Sequence, residues 1–292
     1  MTIRSIDHLV LPTGHLDVAR ARFQALGFTV APEGLHPFGT KNACVYLADD
    51  TFIEPLAIAD PLLADAAVAA GNVFVARDRT FRASRGEDGF SAVVMATADA
   101  DADHAAFHAA GVSAGMRLDF SRAYVDAAGR SKTVSFRLAF AAPTGVGDTF
   151  VFTCERVDAP VGGRGALADH ANGVVGLSRI VGCARDPQAV EGLLSILVGR
   201  HPEAEDGGLS VAATNASISV LTPAALAARY RVAPQRDAEL TLRGIVYRVA
   251  DLGVTQRVLE ASGIEFTRID DLIIVGPADG QGAFFGFEET SS

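Results

Sequence analysis

The sequence of 292 residues has no tryptophan and only three cysteines. Cys44, Cys154 and Cys183 are odd in number, far apart and without a Cys-x-x-Cys pair. That pattern suggests neither a disulfide framework nor a thiolate metal site, and it points to a reducing compartment. No basic stripe with interleaved aromatics is present, and the formal net charge of -10 is spread along the chain rather than gathered in a tail. The charge speaks for solubility and against a nucleic-acid partner. No apolar run is long enough to span a bilayer, and MTIRSIDH passes directly into a strand pattern without a secretory leader. The expected location is therefore cytoplasmic, with no membrane partner. No Ser/His/Asp or Cys/His nucleophilic arrangement follows from spacing, and the glycines of "PVGGRG" lack the strand-to-helix context of a phosphate loop.

What is present is a recurring unit. A strand, "IDHLVLP", leads to Leu16, Ala19, Phe23 and Leu26 at helical spacing, to Gly27 as a helix stop, and then to "FTVAPEG", "NACVYLA" and "TFIEPLAI" as strands. The order returns at "GFSAVVMA" through "DTFVFTCER", again from "GLSRIVGCARDP" through "ASISVLT", and again from "LRGIVYRVADLG" to "GAFFGFEE". One such unit cannot bury the face of its own sheet, so the units must pair. The expected architecture is α+β, with four βαβββ modules paired into two open-barrel domains. The expected boundaries are 1–158 for the first domain, 159–171 for a Gly- and Ala-rich linker containing His170, and 172–292 for the second.

Paired βαβββ modules with "IDHLVL" on the first strand and a carboxylate in "FIEPL" on the fourth resemble the vicinal oxygen chelate superfamily, which includes glyoxalases, extradiol dioxygenases and bleomycin resistance proteins. The segment "EGLHPFGTKNACVYLADDTFIEPLAI" is similar to its glyoxalase-like subset. The resemblance implies a site in the N-terminal barrel, with His8 and Glu54 as ligands of a divalent metal (Zn, Mn, Fe or Ni). It implies either a metal-dependent lyase, isomerase or dioxygenase acting on an oxygen-rich metabolite, or a metal-free small-molecule binding protein of the bleomycin-resistance type. A small-molecule partner is implied either way, and a homodimer is compatible with it.

The residues themselves add detail. Strand alternation puts His8 with Val10 on one face, and Glu54 with Phe52 and Leu56 on one face. The second module offers Ala92 and a position near Phe152 where further ligands would stand, so a full metal set is not expected. In the second half Arg179 stands at the place of His8 and no carboxylate lies in "ASISVLT", which reads as a degenerate duplicate. His36, held extended by Pro37, is a candidate catalytic base or a loop-pinning residue. Glu54 is the other catalytic candidate. Asn42 either stabilises the same turn or contacts substrate. Arg122 in "FSRAY" and Arg137 in "SFRLAF" are candidates for binding a substrate carboxylate, although an ion pair with Glu54 or Glu155 would satisfy Arg137 equally. His104 and His108, on an Ala- and Asp-rich helix, read as solvated, and Cys44 reads as core.

Overall fold

The computed structural model describes residues 2–125, 131–142, 148–157, 164–233 and 240–289. The first unit comprises β1 (Ile6–Pro12), α1 (Leu16–Ala25), β2 (Gly34–Leu35), β3 (Thr40–Asn42), β4 (Val45–Tyr46) and β5 (Phe52–Ile58). A helical hairpin then intervenes, α2 (Pro61–Ala69) and α3 (Val73–Arg85), before β6 (Ala92–Thr97), α4 (Ala100–Ala109), β7 (Leu118–Val125), β8 (Ser131–Ala141) and β9 (Phe150–Val157). The second half repeats the order with β10 (Val174–Cys183), α5 (Glu191–Val198), β11 (Glu203–Glu205), β12 (Gly208–Ala212) and β13 (Ser217–Leu221). An extra helix α6 (Pro223–Tyr230) precedes β14 (Thr241–Val249), α7 (Leu252–Ala261), β15 (Thr267–Ile269), β16 (Leu272–Val275) and β17 (Phe284–Glu289). Part of the expected linker, 159–163, lies outside the described residues. Its remainder includes a short 3-10 turn at Gly165–Ala168.

The sheets have matching orders. The first runs β2-β3-β5-β1-β6-β9-β8-β7, with β4 also on β5, and the second runs β11-β12-β13-β10-β14-β17-β16-β15. The expectation of two open barrels is corrected here: the first sheet nearly closes, whereas the second is an open sheet, so the fold has one barrel-like sheet and not two. The length of one hairpin distinguishes the two sheets. In the first sheet the long β7–β8 hairpin pairs from Leu118↔Leu138 to Val125↔Ser131, and its Arg122 reaches back to the opposite edge. A Cβ built on Gly34 of β2 would lie 2.8 Å from Arg122 Nη1, so the guanidinium end rests against the β2 backbone. In the second sheet the strands in the places of β7 and β8, β15 and β16, have 3 and 4 residues.

Helices separate the two sheets. One continuous apolar core contains Phe23 of α1, Phe107 of α4, Leu194 of α5 and Leu259 of α7, together with Leu9 and Val93 from the first sheet and Ile180 and Phe285 from the second. Asn172, fully buried, fastens the halves: its Nδ2 donates to Leu26 O at 2.9 Å and its carbonyl accepts from Thr255 Oγ1 at 2.7 Å. The opposite faces are filled separately. Ala64, Phe74 and Val75 of the α2–α3 hairpin pack on Leu56, Val94 and Phe152, and Leu226 and Tyr230 of α6 pack on Val181, Val246 and Phe284. Aspartate and asparagine caps start the inserted hairpin, Asp60 accepting from Leu62 N and Leu63 N before Pro61 can extend the strand, and Asn72 accepting from Val75 N.

Because the helical layer belongs to both sheets, thermal unfolding of the whole chain should show one cooperative transition, with calorimetric and van't Hoff enthalpies in agreement. Residues 1–158 expressed alone should bind a hydrophobic dye and aggregate. Two separated transitions, or a well-folded isolated first half, would contradict a shared core.

Candidate functional site

Strand β1 lies between β5 and β6, and its pairing with β6 shifts register between Ile6 and His8. The bulge turns Ile6 and Leu9 alike into the helical core and lets Asp7 and His8 meet on the other side. Asp7 Oδ1 lies 2.5 Å from His8 Nδ1. An ionised carboxylate only accepts, so Nδ1 donates to Asp7 and Nε2 is the nitrogen turned toward Glu54. His8 Nε2 is 3.5 Å from Glu54 Oε2. The imidazole stacks on Phe52 at 4.4 Å and meets Phe152 edge-on at 5.8 Å.

Glu54 stands beside Val10 on β5. Its Oε1 accepts from Asn42 Nδ2 at 2.6 Å, and His36 Nε2 approaches the same oxygen at 3.6 Å. His36 belongs to the turn between β2 and β3, where its backbone N–H donates to Thr40 O and its Nδ1 lies 2.8 Å from Thr40 Oγ1. Gly39 closes that turn with φ 84°. A Cβ there would lie 2.6 Å from the Ala64 N–H and the Asp60 carbonyl, so the turn is seated directly on the start of α2. His8, His36, Asn42 and Glu54 are 7%, 9%, 3% and 5% exposed, and the carboxylate is thus held among imidazoles, an amide and phenylalanine rings with little water.

The electrostatics divide the groups. Burial pushes the His36 pKa down to about 4; Glu54 opposes that shift, while Arg122 and His8 reinforce it. His36 is accordingly neutral near pH 7. Burial alone would raise Asp7, but its hydrogen bond to His8 and the charges of His8 and Arg156 outweigh it, and its pKa falls below the ordinary value. Burial also lifts the Cys44 thiol to about 12, so it is no nucleophile.

Arg122 joins this group and Arg137 does not. Arg122 approaches Gly34 beside Asn42, lies 5.8 Å from the Phe136 ring, and has a buried Nε with no hydrogen-bond partner. Arg137 follows Phe136 on β8 and so points to the other face, where its Nη1 lies 3.5 Å from Glu155 Oε1. Sequence reasoning missed Asp7, because the bulge breaks strict alternation. It also missed Arg156, whose Nη2 donates to Asp7 Oδ1 at 2.6 Å, and Arg164, stacked 3.7 Å over Tyr46. Alternation from Phe152 along β9 would have placed Arg156 on this face.

A family model described as a glyoxalase-like domain matches residues 6–198. The chain belongs to the glyoxalase-like domain family. Its fold is that of the vicinal oxygen chelate superfamily. It is similar to a hypothetical protein from Staphylococcus aureus (14% identity, TM-score 0.65, covering 99% of this chain and 100% of that one). It is also similar to a mutant of 4-hydroxymandelate synthase from Streptomyces coelicolor (12% identity, TM-score 0.61, covering 99% and 93%). A xylose isomerase-like TIM barrel/4-hydroxyphenylpyruvate dioxygenase fusion protein matches with 11% identity and TM-score 0.56, covering 100% of this chain and 49% of that one. No curated protein matches.

Within this glyoxalase-like fold, register defines the equivalent positions. His8 pairs with the first residue of β5, as Ala92 does with that of β9, Arg179 with that of β13 and Gly244 with that of β17. Two residues further on, the places of Glu54 are taken by Phe152, Ser219 and Gly286. The first sheet therefore supplies one imidazole and one carboxylate at these positions, with alanine and phenylalanine opposite. Among the described residues no group of three His, Cys, Asp or Glu side chains could hold a metal ion. A cleft of about 1060 Å³ lies elsewhere, between the halves, lined by Phe81, Phe90 and Thr149 on one side and Leu242, Phe266 and Phe284 on the other. Among the described residues no helix is long and apolar enough to cross a membrane.

The depressed His36 has a direct consequence for stability. Between about 4 and the ordinary 6.5 the unfolded chain binds a proton that the folded chain does not. Its contribution is complete above 6.5 and is lost as the pH falls toward 4, amounting to about 3 kcal/mol. The melting temperature should fall across that window, and His36→Gln should flatten the fall relative to its own value at neutral pH. An unchanged pH profile in His36→Gln would show that His36 is not buried neutral.

Proposed function

We propose that the interior of the first sheet is a small-molecule site that performs proton transfer, as an isomerase or lyase, on an oxygen-rich metabolite carrying an anionic group. The observation that supports this most is a carboxylate, Glu54, buried and positioned by Asn42 Nδ2 at 2.6 Å, with an imidazole beside each of its oxygens. In this reading Glu54 is the general base, a carboxylate held in place to take a proton from a bound carbon acid or hydroxyl. His8, oriented by Asp7, and Asn42 hold its geometry. Neutral His36 supplies a hydrogen bond to substrate or keeps Asn42 in place, and Arg122 takes the anionic group through its unsatisfied guanidinium edge.

A divalent metal (Zn, Mn, Fe or Ni) would have His8 and Glu54 as its protein ligands. Asp7 on His8 Nδ1 is an arrangement that orients a metal-bound imidazole. The donor set nevertheless falls short: Ala92 and Phe152 occupy the other two positions of the first sheet, and one oxygen of Glu54 already accepts from Asn42. No step is assigned to a metal. The competing reading is a metal-free protein that binds and sequesters its ligand, for which the same buried pocket residues would serve.

Proton transfer and sequestration differ in one measurement. Hydroxy and keto acids incubated with the protein in D₂O should exchange a carbon-bound hydrogen, read by NMR, and Glu54→Gln should abolish the exchange while leaving the ligand bound. Binding without exchange in the wild type would establish the sequestering protein instead. Stoichiometric metal that survives purification without chelator and is lost in both His8→Ala and Glu54→Ala would replace the metal-free mechanism. If the two side chains share only a hydrogen-bonded contact, each replacement should lower stability by about 2–4 kcal/mol without changing metal content.

A further inference from the structure

The second sheet carries a cation where the first carries His8. Arg179 pairs with Ser217 as His8 pairs with Phe52, and it too follows a register shift, between Leu177 and Arg179. It lies on the face beneath α6, with Val181 and Cys183 continuing the same side of β10. Its Nε is buried without a hydrogen-bond partner, and among the described residues no carboxylate lies within ion-pair distance of it. Glu205 receives Arg229 Nη1 on Oε2 at 2.9 Å and keeps a buried Oε1 without a hydrogen-bond partner, but it forms no ion pair with Arg179; Glu288 accepts the Ser178 hydroxyl. What surrounds Arg179 is a set of hydroxyls: Tyr230, 2% exposed and close enough for its phenol to feel the guanidinium charge, half-buried Ser217 at its side, and the Ser219–Ser210 pair on the next strand positions.

We propose that Arg179, Tyr230 and Ser217 form a binding site for a small oxyanion on the α6 face of the second sheet, separate from the His8–Glu54 site. A guanidinium drawn partly out of water with no counter-ion is unfavourable, and hydroxyls cannot neutralise it. A ligand with a carboxylate or phosphate oxygen supplies the missing acceptor at Nε and the missing charge together, while the Tyr230 hydroxyl, and the Ser217 hydroxyl once turned from its 3.4 Å bond to Ser178 O, donate to the remaining oxygens. Glutamate at the position of Ser219 would have neutralised Arg179 from within the fold. The serine and the glycine, Gly286, at the positions equivalent to Glu54 and Phe152 leave the cation available.

The test is a thermal-shift titration of the full chain with inorganic phosphate, sulfate or acetate, against sodium chloride at equal ionic strength. At least one of the three should raise the melting temperature saturably, with phosphate and sulfate distinguishing a tetrahedral oxyanion from the planar carboxylate of acetate. Arg179→Met should weaken the apparent affinity by roughly tenfold or more, the usual scale for losing a charged hydrogen bond. Tyr230→Phe, which keeps the ring packed 4.9 Å from Phe284, should weaken it less. Arg122→Met, which removes the anion contact proposed for the first sheet, should retain a saturable rise that depends on Arg179, and this separates the two sites. Stabilisation by excluded salts would be the same in wild type and variants. An equal rise in Arg179→Met, no saturable rise with any of the three anions, or loss of the rise in Arg122→Met would overturn the proposal. Were Arg179→Met to fail to fold, an unaltered titration of Tyr230→Phe would overturn it.

Discussion

Each sheet has two faces and only one helical layer to share. The four module helices lie between the sheets and bury one face of both in a single core, so every residue facing the other way must find a cover of its own. That constraint explains the two insertions. The α2–α3 hairpin supplies Phe74 and Val75 to the interior of the first sheet, and α6 supplies Leu226 and Tyr230 to the second. Neither insertion covers its face completely. Where the apolar cover ends, the first sheet presents Glu54 with its imidazoles and the second presents Arg179 with its hydroxyls. The proposed sites are thus the polar remainder of a packing problem, located on the central strands because those strands pair on both sides and hold their side chains most firmly.

The repeat was legible because it rests on local signals: strand alternation, helix spacing and the capping residues. His8 and Glu54 were legible for the same reason, since parity along β1 and β5 fixes the side to which each points. Counting residues from the helix stops also reached Ala92, Phe152 and Arg179, which the pairing register makes equivalent to the pair. Asp7 was not legible. It becomes a neighbour of His8 only because β1 shifts register against β6, and nothing in "SIDHLV" marks that bulge. Arg137 shows parity carried too little way: Phe136 faces Phe120 across the hairpin in a stack of 5.0 Å, so its successor faces outward to Glu155. Closure of the first sheet was illegible for another reason. It depends on contact between the two edges of the sheet, Gly34 and Arg122, which no local pattern connects.

The same bulge ties the fold to the chemistry. Turning Asp7 inward places a carboxylate behind His8, and Arg156 from β9 then compensates the charge, its guanidinium also lying 5.5 Å from the Phe52 ring on which His8 stacks. Asp7 pairs with Arg156, and among the described residues Glu54 has only imidazoles within ion-pair distance and Arg122 has no carboxylate there. Holding two such opposite charges near one another, but outside direct ion-pair contact, leaves both available to a third molecule. A direct bridge between them would be the more stable protein and the poorer binding site. The second half makes the complementary choice, keeping a cation and replacing the acid by serine. Two sheets of matching strand order therefore hold different groups on their inner faces, a buried carboxylate in the first and a guanidinium among hydroxyls in the second.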